Sequence, residues 1–187
     1  MRRACVMVAL VLLFVIPSDS DRDAASSDRT SEGSQGGDSG QRGPDEDFIR
    51  VASDDVTTDG DTGEPKVVLA VYEDFLCPHC RSFEDTFGDT MSELMEAGTV
   101  AIDYYPVAIL DKAGDGYSSR AGGAAFCVAD ESVDAFVRFH AALFANQPSE
   151  LDSTFPDEND LVETARQAGA GDQDTIDCIE NGEYVEH

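Results

Sequence analysis

Apolar and polar positions divide the chain into three stretches of different character. Residues 4–16 are all apolar, residues 21–47 contain almost no apolar side chains, and from Lys66 onwards apolar residues recur throughout. The first apolar run of the last stretch, residues 67–72, is continuous and rich in β-branched residues, which predicts a strand buried on both faces of a sheet. A folded domain is therefore expected over residues 66–187.

The pattern becomes helical at Cys77 and returns to that of a strand at residue 99. The predicted helix starts at Cys77 or at the next residue and ends near Gly98, which suits the position after a helix end. Pro106 ends the strand predicted over residues 99–105. A strand, a helix and a strand in this order predict a right-handed βαβ unit with parallel strands over residues 66–112. The apolar residues that give this helix one buried face are Phe83, Phe87, Met91, Leu94 and Met95.

The remainder of the chain, residues 113–187, predicts a block of helices. Four segments of suitable length and apolar spacing are separated by turn-forming residues. These segments are residues 118–129, 133–146, 160–168 and 174–180. A βαβ unit followed by such a block belongs to the α/β class, with a helical domain inserted after the first strands.

The first 20 residues carry the features of a secretory signal. Arg2 and Arg3 precede the apolar run of residues 4–16, and small polar residues follow it. Because a spanning helix needs about 20 apolar residues, the run is short for a permanent anchor. A cleaved signal and an uncleaved short anchor both stay open. Either one predicts a domain outside the cytoplasm, secreted or tethered to the outer face of the membrane.

Residues 21–65 predict an acidic, disordered linker. The stretch is rich in Asp, Ser and Gly, and it has too little apolar surface to offset the entropy lost on ordering. Residues 48–51 are the exception, since their apolar character predicts a short edge strand.

Charge and cysteine content narrow the classes of partner and chemistry. The chain has 39 Asp and Glu residues against 12 Lys and Arg, a formal net charge of −27. Like charges repel, so nucleic acid and anionic lipid are not expected as partners. Of the five cysteines, Cys5 lies within the apolar run near the start. The other four form an even number, which favours two disulfides in an exported chain.

Four consecutive residues, Cys77, Pro78, His79 and Cys80, lie where the first strand of the domain leads into the helix. At a helix start, unpaired N–H groups and the positive end of the helix dipole favour the thiolate form of Cys77. Pro78 needs no N–H partner in the first turn, and Cys80 lies one turn on as the resolving thiol. His79 further favours the Cys77 thiolate, which makes a Cys77–Cys80 disulfide a stronger oxidant. The motif therefore predicts thiol–disulfide exchange.

Other interpretations of these residues have less support. A structural zinc site needs a second pair of ligands, and the remaining cysteines and histidines are scattered singly. A purely structural Cys77–Cys80 disulfide closes too short a loop to stabilise the fold much. Two alternative functions stay open. One is a module that binds Cu(I) or Zn(II) through Cys77, His79 and Cys80, and the other is an inactive domain that serves only as a binding surface.

Residues 70–84, with the pattern Asp-Phe-x-Cys-Pro-x-Cys, resemble the active-site segment of DsbA-type thiol–disulfide oxidoreductases of the thioredoxin superfamily. Residues 138–148 resemble the late part of that family's inserted helical domain. Over residues 66–187 the resemblance implies a thioredoxin-like α/β sheet interrupted by a helical domain. It also implies a second, structural disulfide between Cys127 and Cys178, which some secreted members have.

The same resemblance directs attention to acidic residues near the motif. The superfamily commonly buries a proton-relaying carboxylate six positions before the first cysteine, where this chain has Val71. Glu73 and Asp74 are nearer and could serve instead, but carboxylates are rarely buried unpaired, which favours solvated or loop-capping roles. His140, on the apolar side of a predicted helix, is expected to be a packed core residue and not a metal ligand.

The end of the chain departs from the family pattern. The family places a cis-proline in a loop that faces the two cysteines, after the inserted helices, whereas no proline follows Pro156 here. The sequence therefore predicts that this chain lacks the cis-proline loop and the last strands of the sheet.

The motif and the resemblance together imply an exported enzyme that passes its disulfide to unfolded or folding proteins. Cys77 forms the mixed disulfide with the substrate, and Cys80 resolves the reverse step. The resemblance implies no cofactor, and it implies a quinone-linked membrane partner that reoxidises the dithiol. His79 favours the direction of an oxidant, while reductant and isomerase directions stay open.

Overall fold

The computed structural model describes residues 47–185, which form a small mixed sheet and five helices. The strands are β1 (Ile49–Val51), β2 (Val68–Glu73) and β3 (Ala101–Pro106). The helices are α1 (Pro78–Glu96), α2 (Tyr117–Glu131), α3 (Val133–Ala145), α4 (Glu158–Ala168) and α5 (Gln173–Asn181).

The central strand of the described sheet is β3. β1 pairs with it antiparallel, with Ile49 opposite Tyr104, and β2 pairs with it parallel, with Val68 opposite Ala101. The helix α1 connects β2 to β3, so the predicted βαβ unit is confirmed. The carboxyl end of β2 therefore leads directly into the segment that contains Cys77.

The prediction that the first strand of the domain is buried on both faces is wrong. In β2, Val71 and Glu73 are buried, whereas Val68 and Tyr72 are 37% and 66% exposed. Side chains alternate between the two faces of a strand, and the described residues cover the face that carries Val71. On the other face Tyr72 stacks on Tyr105 of β3, with 4.4 Å between the ring centroids. A continuous apolar run therefore identified the strand but not its environment.

All four helices predicted after the βαβ unit are present, and their capping residues explain where they begin. The Ser132 hydroxyl accepts a hydrogen bond from the Ala135 amide at 3.2 Å and begins α3. Asp157 and Asp160 form a capping box, so α4 begins at Glu158, before the predicted start. Each cap gives a partner to N–H groups that have none within the helix.

The helix α2 lies at the centre of the helical block, and residues 121–129 within it are all buried. Small residues allow its neighbours to approach closely. A Cβ atom on Gly122 would lie 3.3 Å from Pro106 of β3, and one on Gly123 would lie 3.3 Å from the backbone of Tyr184. The helix α2 thus packs closely against β3 at Gly122 and against the segment after α5 at Gly123.

Several sequence predictions concern regions at the ends of the chain. The predicted signal or anchor, residues 1–20, and residues 21–46 of the predicted linker lie outside the described residues. The rest of that linker carries β1 and a turn closed by a bridge between Thr58 and Pro65, and the domain boundary at residue 66 stays a prediction. Within residues 47–185 the sheet has three strands and no peptide bond is cis. No helix in this part of the chain is both long enough and apolar enough to cross a bilayer.

Candidate active site

Cys77 occupies the N-cap position of α1. After β2 ends, the chain makes a tight turn in which the Cys77 amide donates to the Asp74 carbonyl at 2.9 Å. Cys77 has an extended backbone, with φ −76° and ψ 117°, and Pro78 takes the first helical position. The Cys77 side chain is partly exposed, and its thiol is free. It therefore lies at the end of the helix where an anion is favoured.

Cys80 is the partner of this pair that packs against the core, and it is partly buried. This burial raises the pKa of its thiol to about 12. The Asp74 backbone opposes the rise, whereas the charge of Cys77, a hydrogen bond to Cys77 and the charge of Glu73 add to it. The environment thus keeps the proton on Cys80. His79, between the two cysteines, is exposed.

Asp74 holds the turn that precedes the cysteines. Its Oδ1 accepts hydrogen bonds from the Leu76 amide at 2.8 Å and from the Ser118 hydroxyl at 2.7 Å. Its Oδ2 accepts from the Leu110 amide at 2.7 Å. The residue is 1% exposed, so a buried carboxylate is satisfied by three donors from three parts of the fold. This is the loop-capping role that sequence reasoning favoured.

Gln147, just after α3, reaches the same turn from the helical block. Its side-chain Nε2 donates to the carbonyl oxygens of Phe75 and Cys77, each at 3.0 Å. No local sequence pattern predicts this contact, because the residues are about seventy positions apart. The turn before the cysteines is therefore tied to the inserted helices by side chains as well as by chain connectivity.

Glu73 and His140 form a buried pair beneath the motif. The His140 Nε2 lies 2.6 Å from the Glu73 Oε1, and aromatic rings of Phe75 and Phe144 surround the imidazole. Burial acts to lower the pKa of His140, but the charge and hydrogen bond of Glu73 outweigh it and the pKa is raised overall. His140 is a core residue, as predicted, but it carries an ionic contact that its helical spacing did not reveal. A histidine that is buried on an apolar helix face needs a polar partner. The position of His140 in the sequence could therefore have indicated that such a partner exists, though not which residue it is.

Glu84 of α1 completes a cluster of three titratable side chains. Its Oε1 is buried without a hydrogen-bond partner, and burial raises the pKa of its carboxyl group. Ligand atoms of Glu73, Glu84 and His140 lie within 4.8 Å of one another. Among residues 47–185 this is the one cluster with the spacing of a metal site. The structure does not bring Cys77, His79 and Cys80 together in that way.

Cys127 of α2 and Cys178 of α5 form a disulfide, with 5.9 Å between their Cα atoms. This is the pairing that the family resemblance implies. It joins the first helix of the insert to the last.

Comparison with known proteins identifies the family. Residues 58–186 match a family model described as thioredoxin. The reduced form of the disulfide bond oxidoreductase DsbG from Mycobacterium tuberculosis is 52% identical, covering 75% of this chain and 68% of its own, with a TM-score of 0.72. Oxidised DsbA from Mycobacterium tuberculosis is also 52% identical, over 75% of this chain and 72% of its own, with a TM-score of 0.72.

More distant structures agree with these two. MdbA, a thiol-disulfide oxidoreductase from Corynebacterium matruchotii, is 26% identical over 80% of this chain and 71% of its own, with a TM-score of 0.65. No curated protein matches the chain. The resemblance and the thioredoxin-like α/β fold predicted from the sequence are confirmed. The chain belongs to the thioredoxin family, in its DsbA-like branch, and is a thiol–disulfide oxidoreductase.

Proposed function

We propose that this enzyme is exported and uses Cys77 and Cys80 to exchange disulfides with folding proteins. The observation that carries the proposal is the unequal placement of the two thiols. Cys77 is partly exposed at the N-terminus of α1, while Cys80, partly buried one turn on, packs against the hydrophobic core and has a pKa raised to about 12. A dithiol needs this division between an attacked sulfur and a protected resolving sulfur.

In the oxidising direction, a substrate thiolate attacks the Cys77 sulfur of a Cys77–Cys80 disulfide. The bond between the two cysteines breaks, a mixed disulfide forms at Cys77, and Cys80 takes up a proton. A second substrate thiolate then attacks the substrate sulfur and releases Cys77 as a thiolate. The substrate loses two electrons and gains a disulfide, and the enzyme gains the same two electrons as a dithiol.

In the reverse step Cys80 must lose its proton before it can attack the mixed disulfide. Asp74 already accepts three hydrogen bonds that hold the turn, which leaves Glu73 as the other buried carboxylate just before the motif. Glu73 acts on the charge state of Cys80 and pairs with His140. We assign the buried pair of Glu73 and His140 as the site that receives this proton.

The relatives support the substrate class, because the similar structures are described as disulfide bond or thiol-disulfide oxidoreductases. The apolar run within residues 1–20 supports export. The position of His79 between the two cysteines supports the direction of an oxidant. Continued oxidation of substrates then requires a membrane partner that passes the electrons to a quinone.

The proposed roles of the two cysteines predict different products with oxidised glutathione. The Cys80→Ser variant should accumulate one glutathione adduct, on Cys77, because nothing resolves the mixed disulfide. The wild type should proceed to the internal disulfide, and Cys77→Ser should form little adduct. Intact-mass spectrometry after acid quenching distinguishes these products. An adduct of equal yield on both variants would contradict the assignment of Cys77 as the attacked sulfur.

Export is tested separately with a reporter enzyme that is active only outside the cytoplasm. A fusion after residue 65 should be active, and the same fusion without residues 1–20 should not. The mass of the recovered N-terminus distinguishes a cleaved signal from a retained anchor. Reporter activity that persists without residues 1–20 would refute the role given to this segment.

A further inference from the structure

Four of the five residues from Glu73 to Cys77 make polar contacts with the helical block. Glu73 pairs with His140, Asp74 accepts from Ser118, and the carbonyls of Phe75 and Cys77 accept from Gln147. Asp74 and Glu73 have roles already described. Gln147 has none, although it is the side chain of the insert that reaches Cys77 itself.

The two hydrogen bonds of Gln147 converge on the backbone at the start of α1. Both come from Nε2, and each is 3.0 Å long. The Cys77 carbonyl also accepts the first helical hydrogen bond, from the Arg81 amide at 3.2 Å. Gln147 therefore holds the peptide group that closes the first turn of the helix, and with it the extended backbone of Cys77.

The chain around Gln147 is built to present this side chain. The Gln147 amide donates to the Phe144 carbonyl at 3.3 Å, which continues the end of α3 by one residue. Pro148 follows, and a proline restricts the residue before it to extended backbone and prevents further helix. The position of the side-chain amide is therefore largely set before it meets the turn, which lowers the entropy lost in forming the two bonds.

We infer that Gln147 is a positioning residue that makes the Cys77–Cys80 disulfide more oxidising. The inference rests on the proposed function, in which these two cysteines exchange electrons. The two N–H groups of Gln147 hold the carbonyl oxygens of Phe75 and Cys77 and so keep Cys77 at the helix terminus, where the helix N–H groups and dipole favour a negative charge. Only the reduced enzyme carries a negative charge on Cys77, so the interaction stabilises the reduced form more than the disulfide form. An interaction shifts an equilibrium only by its difference between the two states.

The test compares three variants of the full chain in glutathione redox buffers at pH 7, with thiol tagging to measure the fraction reduced. Gln147→Met keeps the length of the side chain without its donors, and Gln147→Glu replaces the donors by a charge. The matched control is Asn146→Ala. The Asn146 side chain also donates to a backbone carbonyl, that of Ala142 at 2.9 Å, but it does so within its own helix.

We expect Gln147→Met to make the disulfide less oxidising, with an equilibrium constant changed about threefold to tenfold, the range of one modest hydrogen bond. Gln147→Glu should change it further in the same direction, because its charge repels the thiolate. Asn146→Ala should leave it unchanged. Equal constants for Gln147→Met and the wild type would overturn the inference.

A purely structural role for Gln147 predicts a different result. Loss of a structural contact lowers the stability of the oxidised and reduced proteins equally, whereas the inference requires a larger loss in the reduced protein. Urea unfolding of both forms of Gln147→Met measures this difference, and equal losses would overturn the inference. If the wild type itself shows no Cys77–Cys80 equilibrium with glutathione, the proposed function and this inference both fail. If the wild type shows this equilibrium and Gln147→Met has the same equilibrium constant, only the role of Gln147 is refuted.

Discussion

Opening the Cys127–Cys178 disulfide should remove a large share of the stability of the domain. The two cysteines are 51 positions apart, and on the chain-entropy model a crosslink over a loop of that length stabilises a fold by about 4 kcal/mol. Total stabilities of small domains are about 5–15 kcal/mol. The disulfide joins α2 to α5, so its loss should first free the end of the helical block from the buried helix at its centre.

The experiment requires a background in which the reductant acts on one disulfide only. In a Cys77→Ser, Cys80→Ser double variant, urea unfolding followed by circular dichroism gives the reference free energy of unfolding. Adding dithiothreitol to this protein removes the crosslink without changing its composition, so the expected loss is about 4 kcal/mol. Replacing Cys127 and Cys178 by alanine should lower the free energy by about 1 kcal/mol more, because both sites are buried and lose volume.

The control is the quadruple variant in dithiothreitol, whose stability should not respond to the reductant. Mass spectrometry after alkylation verifies that the disulfide is open in each sample. A loss below about 1 kcal/mol upon verified reduction would refute the loop-entropy reasoning, since the chain-entropy model gives several times that value.

The buried polar contacts of Asp74 and His140, and the exposed His79 of the motif, can each be tested by substitution. Asp74→Ala leaves three donors without an acceptor and should lower the free energy of unfolding by about 3 kcal/mol or more. Ser118→Ala removes one hydrogen bond and should lower it by about 1 kcal/mol. Equal losses for the two variants in urea titrations would contradict this difference. The contact with Glu73 raises the pKa of His140 against the opposing effect of burial. The stability that the protonated His140 gains from this contact is therefore fully present below the ordinary pKa of 6.5, and it declines as the pH rises through the raised pKa. The stability difference between the wild type and His140→Gln should therefore shrink above pH 6.5, and a difference that stays constant from neutral to alkaline pH would count against the charged pair. His79→Ala should make the disulfide less oxidising in glutathione buffers, and an unchanged constant would remove His79 from the argument about direction.

Local patterns predicted the elements of this fold well because their causes are local. The Cys77 helix starts where a proline follows a capping residue, and the helix that begins after Ser132 has its cap within three positions. The same reasoning placed Cys77 and Cys80 one helical turn apart. Each of these features depends on residues that are close in sequence.

The contacts that shape the site have no such local signal. His140 is 67 positions from Glu73, and Gln147 is 70 positions from Cys77. Helical spacing correctly placed His140 on the buried face of its helix. The spacing carried no information about Glu73, the carboxylate that contacts His140. The exposed side of β2 was mistaken for the same reason, since a run of apolar residues does not state what covers it.

The ties between the turn at residues 73–77 and the helical block bear on how such a protein can be redesigned. Along the chain the block resembles a cassette that could be excised to leave a minimal thioredoxin. Excision would leave the buried carboxylate of Asp74 without Ser118, Glu73 without His140, and the Cys77 carbonyl without Gln147. A graft of the four-residue motif onto another scaffold would lack the same partners. The transplantable unit is therefore the motif together with its helical block, and the two should tolerate exchange between homologues only as a pair.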